Sequence, residues 1–513
     1  MDHQPEKAAA AHEHSASTPT ESSQTYNAEE AAVVRASTSW KYKQLKIGSY
    51  KFPFYASPPV QLVIVSLVCF MCPGMFNALN GMGGGGLVDK SVGDKTNVAL
   101  YSTFAVVGFF AGTFTNKLGI RIALSFGGTG YALYTSSYLA YKHHHTTGYS
   151  IFTGAYLGVC AGILWCAQGA IMMSYPPEAS KGRYISWFWM IFNLGAVIGG
   201  LIPLGQNIHT KTNSAVSDGT YIGFLVLTLI GAGLSLCLVN AKDVVRHDGS
   251  KIILMKHPSW KSELLGLWET FQTDPYIIAL FPMFLASNWF YAYHFNDING
   301  AYFNTRTRAL NSVLYYSMQI VGAFVFGYAL DLERFSRRAR AKGGIIALFV
   351  IIMAIWGGGY AFEKTYTRAD TSATDADGNL TFKTKDWEDS GYVGPMFLYM
   401  FYGFIDAAWQ TSVYWFMGAL TNNSRKLANF AGFYKGIQSA GGAITWAMDD
   451  HGVSYTAMYA SNWGLLVGSL LCAVPVILWK VENTTALEKD LAFTDETIED
   501  VVATKIIHED EKA

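Results

Sequence analysis

Gly112-Thr-Phe-Thr-Asn116-Lys117-Leu-Gly119-Ile-Arg121 and Gly327-Tyr-Ala-Leu-Asp331-Leu-Glu-Arg334-Phe-Ser-Arg337-Arg338 are the two stretches whose comparison decides the fold. Each opens on a glycine, places Asn or Asp four residues on, and follows with basic residues. Glycine lets two helices approach closely, a short polar side chain can cap a neighbouring helix end, and Lys and Arg hold a loop on the cytosolic side of a bilayer. The first stretch falls between the second and third apolar blocks of the chain, the second between the eighth and ninth. The same turn at matching ordinals implies a duplicated six-helix unit.

Working outward, a bilayer core of ~30 Å needs about 20 helical residues. Blocks of that length occur near 59–80, 97–116, 121–141, 150–174, 184–205 and 220–240, and again near 275–296, 311–331, 343–362, 392–418, 427–448 and 458–479. The expectation is an all-α membrane protein of about 12 transmembrane helices, in two pseudo-symmetric six-helix bundles over 51–241 and 275–480. Residues 1–50 read as a disordered cytosolic tail and 481–513 as an acidic cytosolic tail. The linker 242–274 places Leu264, Leu265, Leu267, Trp268 and Phe271 near one face of an amphipathic helix lying on the membrane surface.

Composition agrees with lipid as the solvent: 51% of the 513 residues are hydrophobic and 15% charged, with 50 glycines. Net charge is −1, which leaves no basic field for nucleic acid. All six cysteines fall inside apolar blocks, so no extracellular disulfide framework is expected. His143–His145 sit in a short turn and read as solvent-exposed rather than metal-bound. No nucleophile–base–acid arrangement is recognisable, so neither enzymatic chemistry nor a cofactor or metal is expected. Lys and Arg cluster in alternate loops, most densely at Arg334, Arg337, Arg338, Arg340 and Lys342, which places both termini in the cytosol. The long loop 363–390 then faces out and carries Asn379-Leu-Thr381, a glycosylation acceptor.

The paired turns resemble the loop motif of the major facilitator superfamily, Gly-x-x-x-Asp-Arg/Lys-x-Gly-x-Arg. Gly112, Asn116, Lys117 and Arg121 match in the first half, and Gly327, Asp331, Arg337 and Arg338 in the second. Asn116 departs from the motif, which puts a charge-based latch in doubt there; Asp331 keeps the acid. Two further segments, Pro73-Gly-Met-Phe-Asn77-Ala-Leu-Asn80-Gly-Met-Gly-Gly-Gly-Gly86 and Tyr434-Lys435-Gly-Ile-Gln438-Ser-Ala-Gly-Gly442, are similar to the uncoordinated-93-like branch in its fungal form. The resemblance implies either a transporter or a regulator or escort of other membrane proteins, such as ion channels.

Charges deep in lipid are costly, so the few present are informative. The first six blocks hold no Asp or Glu well inside a span. Asp406 lies about 16 Å into the tenth block and Lys435 about 13 Å into the eleventh. They are expected to face one polar cavity and interact there. In major facilitators, helices one, four, seven and ten line the central cavity. That resemblance adds Asn77, Asn80, Trp165, Gln168, Asn288, Tyr291, His294, Trp409 and Gln410 as binding candidates for an amphiphilic or cationic solute. His294 has an outer-interface position as its alternative, and Asn193, Gln319 and Gln438 stand in second rank. Gly195, Gly199 and Gly200 against Gly432, Gly436, Gly441 and Gly442, with Gly108 and Gly112, are spaced for backbone-to-backbone packing.

Two functions follow. One is a secondary transporter or ion-homeostasis protein working by alternating access on an unknown small solute or ion, open to proton coupling through Asp406. The other is a non-transporting regulator or trafficking escort. The plasma membrane and vacuolar or endosomal membranes are both open.

Overall fold

In a computed structural model, residues 39–83, 90–177, 180–209, 217–246, 252, 260–375 and 381–484 are described. The acidic tail beyond 484, most of the N-terminal tail, part of the Gly83–Gly86 run and the Asn379 acceptor lie outside them. Residues 39–55 belong to a small unit of their own, with a hairpin, β1 (Lys46–Ile47) and β2 (Tyr50–Lys51), turning at Gly48. The span 56–503 is the second unit.

Twelve helical passes cross that unit among the described residues. The first is α1 (Pro58–Met71) with α2 (Pro73–Asn80). Pro73 has no N–H and its ring crowds the carbonyl of residue 69, so the pass kinks at Cys72, where φ is −95° and ψ −84°. Five long helices follow: α3 (Lys90–Leu118), α4 (Ile120–His144), α5 (Thr147–Ser174), α6 (Lys181–Asn207) and α7 (Asp218–Leu234). The linker helix α8 (Trp260–Thr273) precedes the seventh pass. That pass is broken. A 3₁₀ turn over Pro275–Leu280 leads into α9 (Phe281–Ala286), and a π-helix over Tyr293–Gly300 ends it. Five passes complete the second half: α10 (Thr305–Leu330), α11 (Arg337–Glu363), α13 (Val393–Leu420), α14 (Ser424–Asp450) and α15 (Tyr455–Trp479). A one-turn α12 (Arg368–Ser372) sits in the loop before α13.

Eight helices are long and apolar enough to span a bilayer on length and hydropathy alone. The other four passes are α4, the broken seventh, α13 and α14, where tyrosine, tryptophan, amide and charged side chains replace aliphatic ones. Those polar side chains face inward. Outward, apolar residues are bare: Ile346 and Val350 on α11 are 62% and 58% exposed, and Leu471 on α15 is 65% exposed. Exposed aliphatic surface of that extent is a lipid-facing surface.

The two halves meet along two helix pairs, α3 with α14 and α6 with α10. Glycine makes the first contact possible. A Cβ on Gly108 would sit 2.6 Å from the Cα of Gly436, so the two backbones touch. In the second, a Cβ on Gly327 would meet Ser186 at 2.3 Å.

Candidate functional site

Between the halves, midway along the passes, lies a cavity that is partly open to the outside. The room open to the centre of a water-sized sphere is only about 60 Å³, enough for a few waters or one small solute. Pro73, Phe76 and Asn77 come from the first pass, Leu100, Tyr101 and Phe104 from α3, and Trp165 from α5. Trp189 and Phe192 come from α6, Asn288 and Tyr291 from the seventh pass, Gln319 from α10, Gln410 from α13, and Lys435 and Gln438 from α14. The second, fifth, eighth and eleventh passes thus line it alongside the first, fourth, seventh and tenth.

Asp406 and Lys435 do not touch. The Lys435 ammonium donates to Gln438 Oε1 at 2.7 Å, Gln438 Nε2 donates to Gln410 Oε1 at 3.1 Å, and Gln410 Nε2 donates to Asp406 Oδ1 at 2.7 Å. Two amides therefore bridge the charges. Asp406 lies behind the wall rather than in it. Its carboxylate also accepts from Tyr291 at 3.4 Å, Tyr315 at 3.0 Å and Gln319 at 2.7 Å, so each oxygen has two donors. Lys435 Nζ stands 4.6 Å from the ring centre of Trp165, 4.7 Å from Tyr434 and 5.3 Å from Tyr414. Both charged residues are buried.

Of the sequence candidates, Asn77, Trp165, Asn288, Tyr291, Gln410 and Lys435 line the cavity. Asn80 does not: it accepts from Asn97, which accepts in turn from Tyr134. Gln168 accepts from the Tyr414 hydroxyl at 3.3 Å, and Trp409 donates to Ser287 and the carbonyl of Met283. His294 is at neither the cavity nor an outer interface. It is 2% exposed, stacks on Tyr402 with ring centres 4.4 Å apart, and shares a 3.2 Å hydrogen bond with Tyr315. The helix break before Tyr293 turns it into the second bundle. Asn193 is fully buried in α6 with no partner for either amide atom.

Contacts between the halves bracket the cavity at both ends. At the end carrying the paired loop motifs, Lys181 donates to the carbonyls of Gly418 and Thr421 and to Asn422 Oδ1, capping the C-terminus of α13. Asp331 accepts from the N–H of Arg183 at 2.6 Å and from Trp415 at 3.2 Å. Burial holds its carboxyl above the usual range, opposed by the N–H groups of Arg183 and Gly182 at the start of α6. Gly112 and Gly327 also pack across the halves, whereas Arg121, Arg337 and Arg338 act within their own. Gly112 packs on Ala428 and Asn429, Arg121 donates to the Leu236 carbonyl, and Gly119 makes its turn at φ 80°. Arg337 and Arg338 donate to the carbonyls of Glu482 and Val481. Asn116 sits half-buried, and Lys117 exposed, in the last turn of α3.

At the opposite end, Arg308 of α10 donates to the carbonyls of Met82 and Gly83, and Asn299 to that of Gly81. Asn296 Nδ2 bridges Asp94 at 2.8 Å and Asp449 at 2.7 Å, and Arg368 pairs with Asp449 and Asp297. Just outside, Arg306 grips Asp386 with two nitrogens, at 2.7 and 2.6 Å, and that pairing holds the Asp386 carboxyl well below the usual carboxylate range. Sequence reading missed this set. Asp94 lies in a helix that begins seven residues before the apolar block at 97, and is a buried acid of the first half. The signal available was the polar run Asn296-Asp297-Ile298-Asn299, dense for the edge of a span.

The fold and the central cavity between its halves define a major-facilitator-type membrane protein. The chain resembles the fucose:proton symporter FucP of E. coli (TM-score 0.54, 12% identity, 84% of this chain and 100% of that one). It also resembles the proton:xylose symporter XylE (0.57, 11% identity, 85% and 99%). Within that class, residues 84–448 match the family described as ion channel regulatory protein UNC-93. An UNC93-like protein of Schizosaccharomyces pombe is 50% identical over 448 residues, 87% of this chain and 88% of the relative. UNC93-like protein 1 of Arabidopsis thaliana is 42% identical over 431 residues, 84% and 92%. The chain belongs to the UNC-93 family.

Proposed function

We propose that this protein is a secondary transporter or ion-homeostasis protein that works by alternating access. The observation that carries the reading is the cavity between the halves, with Lys435 in its wall, Asp406 behind it, and a separate set of inter-half bonds toward each end. Releasing one set while keeping the other would open the cavity to one side at a time. Asp406 is the group that would carry a coupled proton, being reached from the cavity through Tyr291, Gln319 and Gln410. In this reading 51–241 and 275–480 are the moving bundles and 242–274 joins them. Both termini are cytosolic, Asn379 is glycosylated outside, and the host membrane is the plasma membrane or a vacuolar or endosomal one.

A second reading, a regulator or escort of other membrane proteins, is favoured by the family's description and by α8. That helix is amphipathic, with Phe271 stacked on Phe433 at 4.6 Å while Leu265 and Trp268 are bare, the latter 63% exposed.

The test measures solute and potassium content of cells lacking the protein, restored with wild type or Asp406→Asn at equal membrane delivery. Restoration by wild type alone supports transport through the central site. Full restoration by the mutant makes Asp406 structural, and the search then turns to partner proteins.

A further inference from the structure

We infer that the central cavity takes a small organic anion, held through the ammonium of Lys435. This rests on the transport reading and gives it a substrate class.

Four observations carry it. Lys435 is the one charged side chain among the described residues that line the cavity. The acid that could have attracted a cation, Asp406, is outside the lining, and its two oxygens already accept from four donors. A carboxylate so held binds a cation only if one of those donors turns away. Trp165 in the lining, with Tyr414 and Tyr434, turns its ring face on the Lys435 ammonium, so a cationic solute at those faces would meet a resident positive charge. Lys435 in turn has three N–H donors and, among the described residues, a single hydrogen-bond acceptor, Gln438.

The remaining donors suit an oxyanion, where charge-assisted hydrogen bonds are strongest. The Asn77 side-chain amide also lines the cavity and has no partner among the described residues. The lining also has apolar residues, Phe76, Leu100 and Phe104. A bare halide would leave them unused, whereas an anion with a short organic tail would cover them. The small free volume sets the size.

Methanesulfonate is a suitable probe, because it stays ionised and cannot leak through lipid as a neutral acid. Methylammonium and chloride are its charge-inverted and tail-less controls. The full-length protein is titrated with each at fixed ionic strength, following thermal unfolding and tryptophan fluorescence, to which Trp165 contributes beside Lys435. Saturable stabilisation by methanesulfonate is expected, weakened about 10- to 100-fold by Lys435→Gln and retained by Lys435→Arg. Asn77→Ala, which leaves the buried charge in place, weakens it less and serves if Lys435→Gln fails to fold. Saturation by methylammonium alone, an equal response to chloride, or wild-type affinity in Lys435→Gln or Asn77→Ala would overturn the inference. Uptake of labelled methanesulfonate into liposomes separates the two claims. Lys435-dependent binding without uptake keeps the anion site and refutes transport.

Discussion

Gly182→Ala puts one methyl group into the end that carries the loop motifs. A Cβ there would stand 2.5 Å from the carbonyl oxygen of Gly327 and 2.7 Å from Asp331 Oδ1, against an ordinary contact of 3.4 Å or more. The backbones of α6 and α10 must therefore separate by roughly 0.9 Å, or the Arg183–Asp331 bond must break. Overpacking of this kind costs about 1–3 kcal/mol. If the cost falls only on the state in which this end is shut, the balance between closed and open shifts about 5- to 150-fold. Cys166 reports that shift. It is fully buried between the halves, donating to the Ala428 carbonyl at 3.2 Å, next to the cavity residue Trp165. Maleimide labelling of Cys166 in native membranes, quantified by peptide mass spectrometry, should rise by that factor. Cys237, exposed beyond the end of α7, serves as an internal reference. Gly205→Ala on the same helix, where a Cβ meets nothing within 4 Å, should leave the rate at wild type. An unchanged Cys166 rate in folded Gly182→Ala would refute the idea that α6 and α10 part as bodies at this end.

Arg308→Met should loosen the opposite end. It removes the donor to the Met82 and Gly83 carbonyls, and labelling of a cysteine placed at Asn77 from that side should rise about tenfold or more, for a lost charge-assisted bond. Asp386→Asn should lower thermal stability with a defined pH dependence. Because the pairing with Arg306 depresses the folded carboxyl's pKa, its stabilisation is complete above the unfolded value of about 3.9 and is lost as pH falls through the lower folded value. The gap between wild type and variant should therefore be constant from pH 6 to 8 and shrink only in strong acid. Trp268→Ser on α8 should leave solute content unchanged if the protein transports. Loss of function in that variant, with cavity variants normal, would favour the escort reading.

The passes were legible because lipid imposes a length and a composition on them, and the paired turns gave the duplication. The ends of the helices were not, since Asp94 and Arg306 are helical and buried yet fall outside the apolar blocks at 97–116 and 311–331. Hydropathy penalises a charge wherever it lies; only the partner across the interface makes the position tolerable. The seventh pass illustrates the same limit. An apolar block predicts one straight helix, but Pro282 near its start and the amides Asn288, Asn296 and Asn299 break it. At the site, Asp406 and Lys435 were recognisable as deep charges. That two glutamines stand between them was not, because helix rotation about its own axis is fixed by packing that a single sequence leaves open.

Many of the bonds between the halves end on peptide oxygens. Lys181 reaches Gly418 and Thr421, Arg308 reaches Met82 and Gly83, Asn299 reaches Gly81, Tyr316 reaches Asn77, and Cys166 reaches Ala428. A carbonyl is present whatever residue occupies the position. The genetics of such a lock is one-sided: a donor position loses the bond with its side chain, whereas an acceptor position is limited only by the space and backbone shape it needs, as at Gly81 and Gly83. Residue pairs that hold the two bundles together would then leave little trace as correlated substitutions between relatives, and second-site suppressors of a donor mutation should map elsewhere in the same gate.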